Sequence, residues 1–438
     1  MKKYTFMRLL KLLLRYPYHK LRSYIRASRE AKLIAKAPLL HTEALQRLKN
    51  KQSIRCGFFV IFHQVWKCDE IYKEMMTNSR FDPIIVVCPR VNFGKKAMVR
   101  TQNECYSFFC EKGYNVIKAY DEVKDVYLDI QDLGLDIIFY TNPYHGLIDE
   151  RYFITNFLNT LTVYVPYMFG NNNDVKSFHD QLLHNLVWRF YAESSLHVEY
   201  SKKNSRNNGR NVVNTGYPGI ENYVNPVYHP SDKDWKIKKR EVKRIIWAPH
   251  HTIQAVGNVN YSCFLRYAEF MLEMADKYSE DVQFVFKPHP LLKDKLFLLW
   301  GEERTMAYYK KWELKPNVAI NEGFYEDLFL TSDAMIHDCG SFVVEYLYVN
   351  KPVMRTLNEI PVDSMFNSFA QKCLEQYYMA YSEQDIEQFI QNVINDIDPL
   401  KEQRSKFVNE VLIPKGSPSK NIMDDILESI DKQILYRS

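Results

Sequence analysis

From residue 54 onward the sequence alternates short, almost continuous apolar runs with longer amphipathic stretches, and this alternation constrains the fold more than any other feature. Such runs, rich in β-branched and aromatic residues and bounded by turn residues, read as strands of parallel α/β layers. In the first half they are "CGFFVIF" (56–62), "PIIVVCP" (83–89), "NVIKAY", "DIIFYTNP" and "TVYVPYMF", with helices expected from about residue 66 and over about 95–112. A Gly/Pro-containing stretch, "VVNTGYPGIENY" (212–223), and a polar run then interrupt the pattern, and the alternation restarts with "RIIWAPHHTI" (244–253). With 438 residues the chain is too long for one core. The expected organisation is a basic segment 1–50, a first Rossmann-like domain 51–225, and a second one 240–438 that ends in helices.

Composition excludes some classes. A hydrophobic content of 46% with 25% charged residues describes a folded globular chain. The eight cysteines show neither Cys-x-x-Cys nor zinc-site spacing and read as reduced, mostly buried thiols of a cytosolic protein. The net charge of +5 is unevenly placed: residues 1–50 carry +11, so the remainder carries −6. A basic face spread over a domain is therefore absent, and nucleic acid is not an expected partner. In residues 1–36 apolar positions such as Phe6, Leu9, Leu10, Leu13 and Leu14 recur at helical spacing among Lys2, Lys3, Arg8, Lys11 and Arg15. No apolar run approaches the roughly 20 residues of a membrane span, and no cleavage site of a signal peptide follows. The expectation is a basic amphipathic helix lying on an anionic membrane surface, or, alternatively, a helix packed on the protein itself.

Three strand ends of the second half carry the polar chemistry. They are His250 and His251 after "RIIWAP", Lys287 and His289 in "FKPHP", and His337 to Ser341 in "AMIHDCGS". In open α/β sheets ligands bind beyond the carboxyl ends of strands. Imidazole and ammonium donors, together with a Gly-Ser turn that opens a helix, suit a diphosphate. Glu345, one turn further on, is placed to accept hydrogen bonds from ribose hydroxyls, or else is a solvated helix residue.

The segments "WAPHHTI", "FKPHP" and "SDAMIHDCGSFVVEYLYVNKPV" resemble three motifs of the CDP-glycerol glycerophosphotransferase family, the teichoic acid polymerase and primase group. The similarity covers roughly residues 240–430. It implies a GT-B fold, two Rossmann-like domains facing a cleft, and a transferase acting in teichoic acid-like or capsular polymer synthesis. It further implies a CDP-linked donor, a lipid-linked or glycan hydroxyl acceptor, no metal and no cofactor, and a place on the inner, cytoplasmic face of the cell membrane. By the same resemblance His289 matches a catalytic motif histidine, Ser341 the second serine of a Ser-Ser pair, and Glu345 the motif acid. Gly340 stands for the first serine, Cys339 for a tyrosine and His337 for a threonine. Family polymerases also carry a Trp-His-Gly motif whose histidine is the base; here Tyr167 or Met168 occupies its place. A tyrosine with a pKa near ~10 is a poor base, so His145 in "NPYHG" and His63 in "VIFHQVW" are the replacement candidates. Two other readings stay open, a nucleotide-sugar glycosyltransferase of the same fold and a non-catalytic scaffold that keeps the nucleotide fold.

Overall fold

The computed structural model describes residues 2–142, 144–239, 241–254 and 260–437, with side chains for all of these except 2–20, 362 and 363. The chain folds into two α/β units, each built on a parallel sheet.

The first unit contains β1 (Ile54–Val60), β2 (Phe81–Val87), β3 (Val116–Lys118), a two-stranded ribbon of β4 (Tyr120–Asp121) and β5 (Val126–Tyr127), then β6 (Ile137–Tyr140), β7 (Leu161–Tyr164), β8 (Arg189–Ala192) and β9 (Val212–Asn214). Its main sheet has the order β3-β2-β1-β6-β7-β8-β9. The second unit contains β10 (Lys243–Ala248), β11 (Val282–Phe286), β12 (Val318–Ile320), β13 (Ala334–His337), β14 (Val353–Thr356) and β15 (Tyr378–Ala380), in the order β12-β11-β10-β13-β14-β15. The unbroken apolar runs of the sequence are the central strands, buried on both faces as parallel sheets require.

The division of the chain differs from the sequence-based boundaries in three places. The second unit starts at Thr215, ahead of the polar run. That run is no free linker, because Trp235 is buried with its Nε1 donating to Thr331 Oγ1 at 2.8 Å, and the Tyr228 hydroxyl donates to Asp327 at 2.6 Å. Residues 167–175 also belong with the second unit, and residues 419–438 return to the first. The last helix (Pro418–Lys432) inserts Ile422, Met423, Ile426 and Ile430 into the core on one face of the first sheet. Each such burial is worth about 1.5–3 kcal/mol. Its Asp425 accepts from Arg189 Nε at 2.8 Å and the Tyr191 hydroxyl at 2.9 Å, so a fully buried guanidinium is paired from that helix.

The N-terminal helix runs from Lys2 to Leu48. Ile34, Ala37, Ala44, Leu45 and Leu48 are buried against the first unit, whereas residues 21–29 are exposed. The apolar and basic faces expected for residues 1–20 lie outside the residues whose side chains are described. Among the described residues no helix is long and apolar enough to cross a membrane.

Candidate functional site

In the second sheet the chain proceeds from β10 outward through β11 and β12, then returns to the other side of β10 for β13, β14 and β15. β10 and β13 are therefore neighbours at the topological switch point, with Ala248 opposite His337 at their carboxyl ends. A crevice beyond that point is where open α/β sheets hold ligands. His250 and His251 follow β10, His289 follows β11, and the turn Asp338–Ser341 follows β13.

The three histidines converge. Their ring centroids lie 4.3 Å (His250–His251), 4.9 Å (His250–His289) and 4.2 Å (His251–His289) apart. Internal hydrogen bonds fix which nitrogen carries the proton in two of them. The Leu291 amide donates to His289 Nδ1 at 3.1 Å, so in the neutral ring the proton sits on Nε2. Thr252 Oγ1 already accepts from the amides of Tyr261 (2.9 Å) and Ser262 (3.3 Å), which leaves its own hydrogen for His250 Nδ1 at 3.0 Å. His250 thus also carries its proton on Nε2. Burial, reinforced by His251, Lys287 and Lys295, holds His289 down to about 3, and burial with Lys295 holds His251 down to about 4. His250 is pushed down further by burial and by both partner rings. The rings are neutral donors at physiological pH.

These three side chains also form the one group among the described residues with metal-ligating spacing, their ligand atoms lying within 4.8 Å of one another. A metal-bound neutral histidine donates its second N–H outward. His289 does the reverse, since its Nδ1 accepts an amide hydrogen, and its Nε2–H suits an anion. In the two Asp-x-Asp triplets of the unit, 232–234 and 396–398, Asp232 pairs with Lys238 and Arg244, Asp396 with Lys243 and Asp398 with Arg404.

The turn after β13 is held by Asp338, a role that no local sequence signal marks. Asp338 is buried, with Oδ1 accepting from the His250 amide at 2.5 Å and Oδ2 from the Cys263 amide at 2.6 Å. It therefore ties the β10 loop to the start of the following helix (Phe264–Lys277). Burial pushes its carboxyl up to about 6. The amides of Gly340 and Ser341 have no partner among the described residues. A Cβ on Gly340 would meet Tyr261 Cε2 at 3.0 Å. The helix that follows is only one turn, Phe342–Glu345, so the donors act as individual amides rather than through a long helix dipole. Ser341 makes no side-chain capping bond.

Other predicted site residues stand apart from this cluster. His337 is buried, its Nδ1 accepting from the Cys339 amide at 3.1 Å and its Nε2 facing the Tyr377 hydroxyl at 3.3 Å. Glu345 is neither solvated nor open, since it is buried and accepts from the Tyr325 hydroxyl at 2.7 Å. Lys287 is buried, and its ammonium donates to Asn321 Oδ1 (3.0 Å) and the Gly323 carbonyl (2.9 Å), leaving one N–H. Burial brings it down to about 8.

His63 and His145 lie in the first unit. The His63 ring stacks on Phe108 at 4.7 Å, and burial lowers its pKa. His145 packs on Phe153 at 3.8 Å and lines a cavity of about 440 Å³ with Arg26, Glu30 and Glu150. The stretch that stands in place of Trp-His-Gly belongs to the second unit. Tyr167 offers its carbonyl to the Tyr217 hydroxyl at 2.6 Å, and burial raises its own phenol further from the range of a base. The Asn171 carboxamide donates to the Gly340 carbonyl at 3.2 Å, seating this stretch on the turn.

Residues 171–363 match the model of a family described as CDP-Glycerol:Poly(glycerophosphate) glycerophosphotransferase, a span that includes Asn171 and all three motif strand ends. No curated protein sequence matches the chain. Among solved structures, the wall teichoic acid polymerase TagF is similar over 95% of this chain and 98% of its own, at 14% identity and a TM-score of 0.58. A UDP complex of Staphylococcus aureus MnaA covers 88% and 99% at 14% identity and a TM-score of 0.55. The UDP-GlcNAc 2-epimerase of Neisseria meningitidis bound to UDP-GlcNAc covers 86% and 100% at 13% identity and a TM-score of 0.53. At these identities the likeness establishes the fold, which is of the GT-B type expected from the sequence.

Proposed function

We propose, for a chain whose residues 171–363 are those of the CDP-glycerol glycerophosphotransferase family, that it transfers glycerol phosphate, or a related polyol phosphate, from a CDP-linked donor to a hydroxyl of a cell-surface polymer. The observation that carries this reading is the placement, beyond the carboxyl ends of β10, β11 and β13, of neutral Nε2–H donors from His250 and His289 and of the Gly340 and Ser341 amides, unpartnered among the described residues. Such a set binds a diphosphate without a proton to lose. It suits a reaction in which charge grows on phosphate oxygens.

In the reaction an acceptor oxygen forms a bond to the β-phosphorus of the donor. The bond from that phosphorus to the bridging oxygen breaks, and CMP leaves with the electron pair. The acceptor proton passes to a base. His289, His250 and the two amides take up the charge developing on the diphosphate, and Lys287 adds a buried positive charge behind them. Glu345 acts from beneath through Tyr325 rather than by open contact. For acceptor activation the candidates are His145, which faces a cavity, and His63. The acceptor is a lipid-linked or glycan chain, and the basic residues 1–20 hold the enzyme at an anionic cytoplasmic membrane face.

The test is product identity. Purified enzyme with CDP-glycerol and an oligomeric polyol phosphate acceptor is expected to release CMP and lengthen the acceptor by one phosphodiester unit. Release of a nucleoside diphosphate from a nucleotide sugar would instead make it a glycosyltransferase. No release from either donor would leave a scaffold.

A further inference from the structure

The first unit offers a polar cavity beside His145, but its Arg26 and Glu30 are paired with each other, and Glu30 is paired with Arg206 as well. The buried Arg189 is fully satisfied by Asp425, Ser429 and the carbonyls of Trp188, Ile434 and Leu435. A different buried arginine is not satisfied. Arg355, at the end of β14 and opposite His337 in the sheet, is 1% exposed. Its Nη1 donates to the Cys339 carbonyl at 3.0 Å, while its Nε is buried with no partner. Among the described residues the guanidinium forms no ion pair. Its Cζ lies beside the stacked pair of Phe366 and Tyr261, 4.8 Å from the Phe366 centroid and 5.7 Å from that of Tyr261. Asp338 is the carboxylate that acts on it most strongly, and both Asp338 oxygens are already engaged by backbone amides.

A buried cation without an ion partner is costly, and proteins keep one where something else compensates it. The Cys339 carbonyl that Arg355 holds belongs to the same turn as the unpartnered Gly340 and Ser341 amides. Tyr261, against which the cation rests, is the ring that a Cβ at position 340 would strike. The guanidinium thus supports the turn from the side of its carbonyl and leaves the amide hydrogens for a ligand.

We propose that Arg355 is a positioning residue of the donor site: it fixes the Asp338–Ser341 turn through the Cys339 carbonyl and supplies a buried positive charge that the diphosphate of the bound donor compensates. This rests on the reading of the turn as a diphosphate site. It deepens that reading by naming the source of the fixed charge, because the histidines are neutral.

The experiment compares the full-length protein with R355M and R355K, using inorganic pyrophosphate and CMP as probes. Melting temperature is measured with and without each probe, and dissociation constants by calorimetry. For R355M the expected result is a melting temperature within a few degrees of wild type without probe, because the unpaired charge is removed along with one hydrogen bond. Its pyrophosphate dissociation constant is expected to rise at least tenfold. R355K, which keeps a charge but loses the planar fork, is expected to fall between the two. KM for CDP-glycerol should rise more than kcat falls. If R355M does not fold, R355K decides: an unchanged pyrophosphate dissociation constant overturns the proposal, and a weakened one supports it. Wild-type affinity in R355M, with only a lowered melting temperature, would make Arg355 a structural residue. Failure of the wild type to bind pyrophosphate would overturn the diphosphate site itself, and CMP release from CDP-glycerol tests that site independently of Arg355.

Discussion

The proton arrangement at His289 gives a test that simple removal does not. Leu291 N–H occupies Nδ1, so the group presented to a ligand is Nε2–H. A glutamine side chain carries an amide N–H close to where Nε2 lies, whereas asparagine reaches only to the level of Nδ1. His289→Gln therefore keeps the donor and gives up the bond to Leu291, and His289→Asn does the opposite. A preorganised N–H aimed at developing charge is worth about 2.7–4 kcal/mol, or roughly 10²–10³ in kcat. The bond to the Leu291 amide is exposed, and losing it costs at most about 1 kcal/mol of stability. His289→Gln is thus expected to remain within about tenfold of wild type, while His289→Asn and His289→Ala fall by about 10² or more. All three should melt within a few degrees of wild type. CMP release from CDP-glycerol under single-turnover conditions, with melting curves for each variant, measures both quantities. Because burial holds His289 at about 3, its contribution should show no inflection between pH 5 and 8. An active asparagine variant beside a dead glutamine variant would reverse the tautomer. Full activity in the alanine variant would remove His289 from the site.

The turn makes a second pair of variants informative: Gly340→Ala brings a Cβ to 3.0 Å from Tyr261 and should weaken donor binding, while Ser341→Ala should leave the melting temperature unchanged, since Ser341 caps no helix. Calorimetric donor affinity for Ser341→Ala should fall about tenfold if the hydroxyl meets a phosphate, and a loss confined to stability would mark the turn as purely structural. Acid should destabilise the protein steeply below pH 6.5, because His41, His184, His289 and their like are held neutral by burial and bind protons only on unfolding. For a histidine lowered on folding, stability is complete above the unfolded pKa and declines by up to about 1.4 kcal/mol per pH unit as pH falls towards the folded value. Asp338, raised to about 6, opposes this as one group against several, so a melting temperature that is flat from pH 7 to 5 would contradict the burial of these rings. Removal of residues 1–20 should abolish co-sedimentation with anionic vesicles and leave the fold intact, whereas a cut at residue 36 would strip the buried Ile34, whose carbonyl holds Arg210 at 2.9 Å; equal binding by the 1–20 deletion would refute the membrane role.

How far the sequence could lead depended on whether a residue's role is local. The strand ends were legible because apolar runs stop abruptly at His250, His289 and the Asp338–Ser341 turn, and because parallel α/β order places such ends together. Roles set by distant partners were not. Glu345 lies one turn after Ser341 and reads as an open acid, yet it is buried and accepts from the hydroxyl of Tyr325, twenty residues upstream. His337 follows an apolar run just as His289 does, but it is the last residue of β13 and is enclosed by Tyr377. The polar run resembles a linker and so suggests a domain boundary, yet one tryptophan, Trp235, anchors that run in the second unit.

The same distinction hides Arg355 and the partners of Asp338 from a reading of the sequence. The short run "VMRT" reads as a strand with one charged residue, and nothing local says that the sheet there is covered on both sides. Only the pairing of β14 with β13 puts that guanidinium beneath the Cys339 carbonyl, and only the fold of the β10 loop brings the His250 amide to Asp338. In a neutral binding site the histidines provide direction, since their N–H groups are fixed by bonds to Leu291 and Thr252. They provide no net charge. A diphosphate carries at least two negative charges, and its binding needs cations that do not titrate away near pH 7. Lys287, held near 8 by burial, meets that need in part, and a buried arginine meets it at every accessible pH. The donor affinity of the wild type should accordingly weaken as pH rises through 8 while Lys287 loses its proton, and the residual affinity above that pH should be the part that Arg355 supplies.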